Sequence, residues 1–131
     1  MVLNIAVEKR QEGDFLLSLN GSIDSQSYME LEARLKPLLV SSTKVLMLNM
    51  AEVSYISSMG ISTILSAKKF IEQRNGTFIM TDLQPQIKLA FEIINALSNM
   101  RVFQSVAEAD AYLTAVERKE IEKQQGKPKK L

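Results

Sequence analysis

The sequence predicts an α/β domain: a mostly parallel sheet of about five strands that opens with an N-terminal hairpin. Three observations carry this. Apolar residues stand at every second position in two opening segments, Leu3, Ile5, Val7 and then Phe15, Leu17, Leu19, as half-buried strands require. A nearly unbroken apolar run, Val45 to Met50, is too short for a buried helix and reads as a central strand covered on both faces. Helical patterns then alternate with short strand patterns, the order that right-handed crossovers convert into a parallel sheet.

Each element follows in turn. Gln11-Glu12-Gly13-Asp14 turns the hairpin, and Asn20-Gly21 marks the expected end of its second strand. Asp24 or Ser25 supplies an oxygen to cap the first helix, whose apolar stripe is Leu31, Leu35, Leu38 and Leu39 after Tyr28. Pro37 removes a backbone donor, so the helix kinks or stops early there. After the central strand, the second helix runs to Arg74 and stops at Asn75-Gly76. Thr77–Thr81 is a strand, and Pro85 starts the third helix at the position where its missing N–H costs nothing. Ile87, Phe91 and Ile94 form that helix's buried stripe. A last strand from Arg101 ends at Ser105, and Ser105 with Glu108 makes a capping box for a final helix whose core face is Tyr112, Leu113 and Val116. Residues 1–116 are the expected domain, and 117–131 a charged extension in which the helix ends and a flexible tail follows.

Composition narrows the chemistry. The 131 residues include no Cys and no His, so thiolate catalysis, His-activated nucleophiles, disulfides and the common zinc sites are unavailable. Neither a phosphate-binding glycine loop nor a pair of acids with a suitable base or metal partner is visible, so no enzyme activity, metal or cofactor is expected. Net charge is +1. The last fifteen residues, however, hold six Lys or Arg against three Glu, leaving ten basic and twelve acidic residues, net −2, in 1–116. A nucleic-acid binder would carry its basic stripe on the folded part, so DNA and RNA are not expected partners. The longest apolar run, Val45 to Leu48, is far below the ~20 residues that span a bilayer. No direct membrane insertion and a cytoplasmic location are the expectation.

The informative punctuation is Gly21-Ser22-Ile23-Asp24 before the first helix and Val53-Ser54-Tyr55-Ile56-Ser57-Ser58-Met59-Gly60-Ile61 opening the second. With Asn75-Gly76, the Ile87–Leu97 helix and Ala107-Glu108-Ala109-Asp110-Ala111, these segments resemble the STAS family over about residues 3–116, in particular its anti-sigma factor antagonists. The resemblance implies helices packed mainly on one side of the sheet. It also implies a phosphorylatable Ser between an Asp and a small residue, followed by Gly and Leu. Here Ser57 stands at the Asp, Ser58 at the acceptor, Met59 at the small residue, Gly60 at the Gly and Ile61 at the Leu. The missing Asp and the bulky Met59 depart from the pattern, and Ser57 is the alternative acceptor. Asp24 matches an acidic position near the site.

The residues support a switch on physical grounds as well. Ser58 falls at a helix start, where free amides and the positive end of the dipole tolerate a phosphate, although Ser57 and Ser58 could equally be plain caps. Asp24 is an N-cap or a neighbour of the acceptor. On a helical wheel of 59–74, Ile61, Ile64, Leu65 and Ile71 form the core arc. Met59, Ser62, Thr63, Ser66 and Phe70 form the opposite arc, an expected partner-binding strip continuous with Ser57, Ser58 and Gly60; the alternative is that Phe70 folds over a neighbouring helix. Lys68 lies on the core arc with its stem on apolar surface. The resemblance implies reversible binding to an anti-sigma factor/serine-protein kinase, which holds the ATP, and a cognate phosphatase, with the chain itself a monomer or weak homodimer. A rival reading is a STAS subunit of a membrane lipid-transport complex that binds its ATPase without phosphorylation; a third is a protomer of a large signalling assembly.

Overall fold

The N-terminal hairpin forms from β1 (Asn4–Gln11) and β2 (Asp14–Ile23) in the computed structural model, which describes residues 3–125. β2 does not stop at Asn20-Gly21. Gly21 takes φ +125°, a value that glycine alone adopts readily. The register with the next strand shifts there, and Ser22 and Ile23 go on to pair with Tyr55 and Ile56. This extension brings the end of β2 up to the site described below.

The remaining elements are α1 (Tyr28–Leu35) with a 3₁₀ turn at Lys36–Leu38, β3 (Val45–Ile56), α2 (Ser58–Gln73), β4 (Thr77–Thr81), α3 (Pro85–Ile93), β5 (Arg101–Phe103) and α4 (Val106–Gln125). Pro37 ends α1 early, as its sequence position predicts, and tightens the chain into the 3₁₀ turn. The sheet order is β1-β2-β3-β4-β5, with β1 antiparallel to β2 and the other pairs parallel. β3 is twice the length expected because β2 pairs with it as far as Ile56. β4 stops opposite Asn49. Beyond it, the Gln84 and Gln86 side-chain amides donate to the carbonyls of Ala51 (2.8 Å) and Ser54 (3.1 Å), so α3 partly replaces the missing strand.

Two apolar layers form because successive strand residues point to opposite faces. Leu46, Leu48, Met50, Phe78 and Met80 pack on one face against Leu31 and Leu35 of α1, Ile64 and Ile71 of α2, and Ile87 and Phe91 of α3. Met47 and Ile79 point to the other face and meet Ala109 of α4, flanked by Tyr112 and Leu113. Three helices thus cover one face and α4 covers the other. α4 is also tied by Arg10, whose guanidinium lies 2.8 Å from Asp110 and 3.5 Å from Asp14. Ser105 accepts the Glu108 amide at 3.1 Å, the cap expected there, although β5 already ends at Phe103.

One expectation at a helix end is corrected. α3 stops at Ile93 because Asn95 takes φ +56° and the Ala96 and Asn95 amides turn back to Phe91 and Glu92, a left-handed C-terminal cap. Ile94 is therefore 50% exposed instead of buried. α4 runs to Gln125, inside the 117–131 extension; the tail expected after the helix lies outside the described residues.

Candidate functional site

The parallel pair β2–β3 places the site. Ile23 and Ile56 are register partners at the ends of their strands, and the Ser57 amide donates to the Ile23 carbonyl at 2.7 Å. Asp24 and Ser57, one residue further along each chain, leave the sheet from these adjacent strand ends. Ser57 stays extended (φ −89°, ψ 170°); its Oγ accepts the Gly60 amide at 3.2 Å and its carbonyl accepts the Ile61 amide at 2.9 Å. Ser57 is thus the N-cap of α2, its oxygen engaged. Ser58 is the first helical residue and is exposed. The amides of Ser58 and Met59 belong to the first turn and have no acceptor within the helix.

Gly60 explains how the helix start sits so close to the strands. A Cβ at this position would lie 2.6 Å from Ile23 Cγ2, 2.9 Å from Ile56 Cγ1 and 3.1 Å from the Ile23 carbonyl. Only a residue without a side chain fits unless the isoleucines move. Gly60 is buried. It sets the position of Ser58 and is not itself part of a binding surface, which corrects the expectation.

The core arc expected for α2 is buried at Ile61, Ile64 and Ile71, but the buried side is wider than expected. That side is Gly60, Ile61, Thr63, Ile64, Ala67 and Ile71, so small residues face the sheet where a reading by apolar size alone pointed elsewhere. Thr63 is buried and its hydroxyl donates to the Met59 carbonyl at 3.0 Å. Phe70 is half-buried against the core, and Arg74 covers its ring at 3.6 Å from the centroid. Thr63 therefore lies outside an open strip, and Phe70 keeps only part of its ring exposed. The exposed face consists of Ser58, Met59, Ser62, Ser66 and Lys69. Beside it lies a shallow groove of about 320 Å³ in which Ser58, Ser62 and Ser66 meet the apolar Ile61, Leu65 and Ile94. Leu65 and Ile94 were missed from the sequence, although Asn95, a residue that readily ends helices, was the available signal for Ile94. Lys68 is nearly buried and pairs with Glu72 at 2.7 Å, and Glu72 also meets Arg101 at 3.2 Å.

Asp24 organises the turn beside Ser57. Its Oδ1 accepts the amides of Ser27 (2.8 Å) and Gln26 (2.9 Å), and these bonds hold its carboxyl below its ordinary value of 3.8. Asp24 thus supplies the side-chain oxygen expected before α1; Ser27, the residue that precedes the helix, makes no side-chain cap, and its hydroxyl donates to the Ser22 carbonyl and accepts the Asp24 amide. Asp24 is ionised at neutral pH and adds a negative charge to the mouth of α2.

Among the described residues no cluster of three or more His, Cys, Asp or Glu is placed to hold a metal ion, and no helix is long and apolar enough to cross a membrane.

The STAS domain family model matches residues 5–109. The protein BtrV of Bordetella bronchiseptica, named as a candidate anti-sigma factor antagonist, is 31% identical over 108 residues, 82% of this chain and 93% of that protein. The fold matches the anti-sigma factor antagonist SpoIIAA in its unphosphorylated form with a TM-score of 0.74 at 16% identity, over 86% of this chain and 97% of that one. The phosphorylated form of SpoIIAA, described as a Bacillus cell fate determinant, matches with a TM-score of 0.68 at 16% identity, over 84% and 99%.

Proposed function

Because the chain belongs to the STAS domain family, we propose that it is an anti-sigma factor antagonist that reversibly binds an anti-sigma factor/serine-protein kinase and is switched by phosphorylation at Ser58. One observation carries the choice of residue: the Ser57 oxygen is engaged in capping α2, whereas Ser58 is exposed at the first helical position. The unmodified protein docks through Ser58, Met59, Ser62 and Ser66 and the groove floored by Ile61, Leu65 and Ile94. Asp24 borders this surface, and a phosphatase restores the unmodified state.

The switch follows from electrostatics. A phosphate adds about −1.5 to −2 charges at neutral pH. On the fold's side, the unpaired amides of the first turn and the helix dipole favour that charge. On the partner's side, docking would bury a dianion next to the Asp24 carboxylate, at a cost of several kcal/mol, which corresponds to a loss of roughly 100-fold or more in affinity. Phosphorylation therefore releases the partner without unfolding the antagonist.

Affinity capture with unmodified protein and with Ser58→Asp tests this. The expected result is a serine-kinase-like partner held by the first and lost by the second. Capture of the same proteins by both, or labelling of Ser58→Ala by the cognate kinase at the wild-type rate, would refute it.

A further inference from the structure

The connections at the far side of the sheet create a second candidate site. From β4 the chain turns to the face covered by α1–α3, whereas from β5 it turns to the face covered by α4. Adjacent parallel strands whose carboxyl ends lead to opposite faces open a crevice between them, and in α/β sheets such crevices are where ligands bind. A crevice of about 700 Å³ lies at this place, within the range of roughly 300–1,000 Å³ usual for small-ligand sites.

Part of its lining is apolar: Leu83, Leu97 and Val102 are half-buried and Met100 is buried. Two opposite charges also line it, Asp82 directly after β4 and Lys88 in the first turn of α3. Among the described residues neither takes part in an ion pair, with each other or with another side chain. An apolar floor beside an unpaired carboxylate and an unpaired ammonium is complementary to a zwitterion with an apolar substituent. We propose that this crevice binds a free apolar α-amino acid, its side chain on Leu97, Met100 and Val102, its ammonium on Asp82 and its carboxylate on Lys88. The site is independent of Ser58 and of the partner-switching reading.

Titrating the ¹⁵N-labelled protein with L-leucine tests the proposal, with 4-methylpentanoate and 3-methylbutylamine as analogues lacking one charge each. The expected result is saturable amide shifts at 82–88 and 97–104 with leucine, and binding at least about 10-fold weaker for each analogue. Asp82→Asn keeps the φ of +60° that Asp82 adopts, because Asn also tolerates that conformation. It should weaken leucine binding about 10-fold while leaving 4-methylpentanoate unaffected. Lys88→Gln, at an exposed position, should weaken leucine without disturbing the fold. No saturable shift at the crevice up to about 20 mM leucine, equal binding of an analogue, or wild-type leucine affinity in Asp82→Asn would overturn the proposal.

Discussion

Replacing Gly60 by alanine puts a methyl group where the start of α2 meets the ends of β2 and β3. The added carbon would stand 2.6 Å from Ile23 Cγ2 and 2.9 Å from Ile56 Cγ1, and both isoleucines are buried, at 0% and 6% exposure. Neither can swing into solvent, and the Ile23 carbonyl at 3.1 Å is backbone, so relief requires the helix start to shift. Overpacking of this kind costs about 1–3 kcal/mol. Alanine's better helix propensity offsets at most about 1 kcal/mol of that, and the offset is smaller in the first turn. The expected net loss is about 1–2 kcal/mol. With a urea m-value of about 2 kcal/mol/M, this lowers the unfolding midpoint by roughly 0.5–1 M at unchanged m. Urea denaturation followed by far-UV circular dichroism measures it. The same shift would displace Ser58, so partner binding should fall further than the loss of folded protein explains. A Gly60→Ala protein as stable as wild type would show that α2 does not pack on the strands as closely as described.

Removing the α2 cap with Ser57→Ala should cost about 1 kcal/mol in the same assay and leave Ser58 open to the kinase; loss of phosphorylation in a folded Ser57→Ala protein would instead favour Ser57 as acceptor. Met59→Ala, at a position 43% exposed, should change stability by less than about 0.5 kcal/mol yet weaken partner binding. Phe70→Ala should do the reverse, because its ring packs on the core; equal effects of both on binding would restore Phe70 to the interface. The Asp24 carboxyl lies below its ordinary value through bonds from the Ser27 and Gln26 amides. A depressed folded-state pKa means a stabilising contribution that is present above the unfolded value and lost as pH falls through the folded one. The Ser27 and Gln26 amide resonances should therefore shift only well into acid, and a midpoint at or above the ordinary carboxylate value would contradict the turn.

The sequence revealed most of the fold where one element's own pattern decides its fate. The apolar run from Val45 announces the central strand, Pro37 shortens α1 and Pro85 starts α3 because each proline acts locally. The errors arise where a neighbour decides. β2 passes through Gly21 because β3 pairs with it beyond the bulge. At the site, Ser57, Ser58 and Asp24 were legible as punctuation between strand and helix. The two faces of α2 were legible in part: Ile61, Ile64 and Ile71 are buried and Met59, Ser62 and Ser66 exposed as expected, whereas Gly60, Thr63 and Ala67 are buried for being small, which a wheel weighted by apolar size does not register. Phe70 looked like an exposed anchor; its partial burial depends on tertiary packing, and Arg74 one turn later stacks on its ring.

The most direct test compares stoichiometrically Ser58-phosphorylated protein with the unmodified form on two axes: affinity for the same captured kinase by calorimetry, and thermal stability alone. The account predicts an affinity at least about 100-fold weaker with an unfolding temperature equal to or slightly above that of the unmodified protein. A phosphorylated form that binds as tightly as before, or one that loses its partner only because it no longer folds, would contradict it.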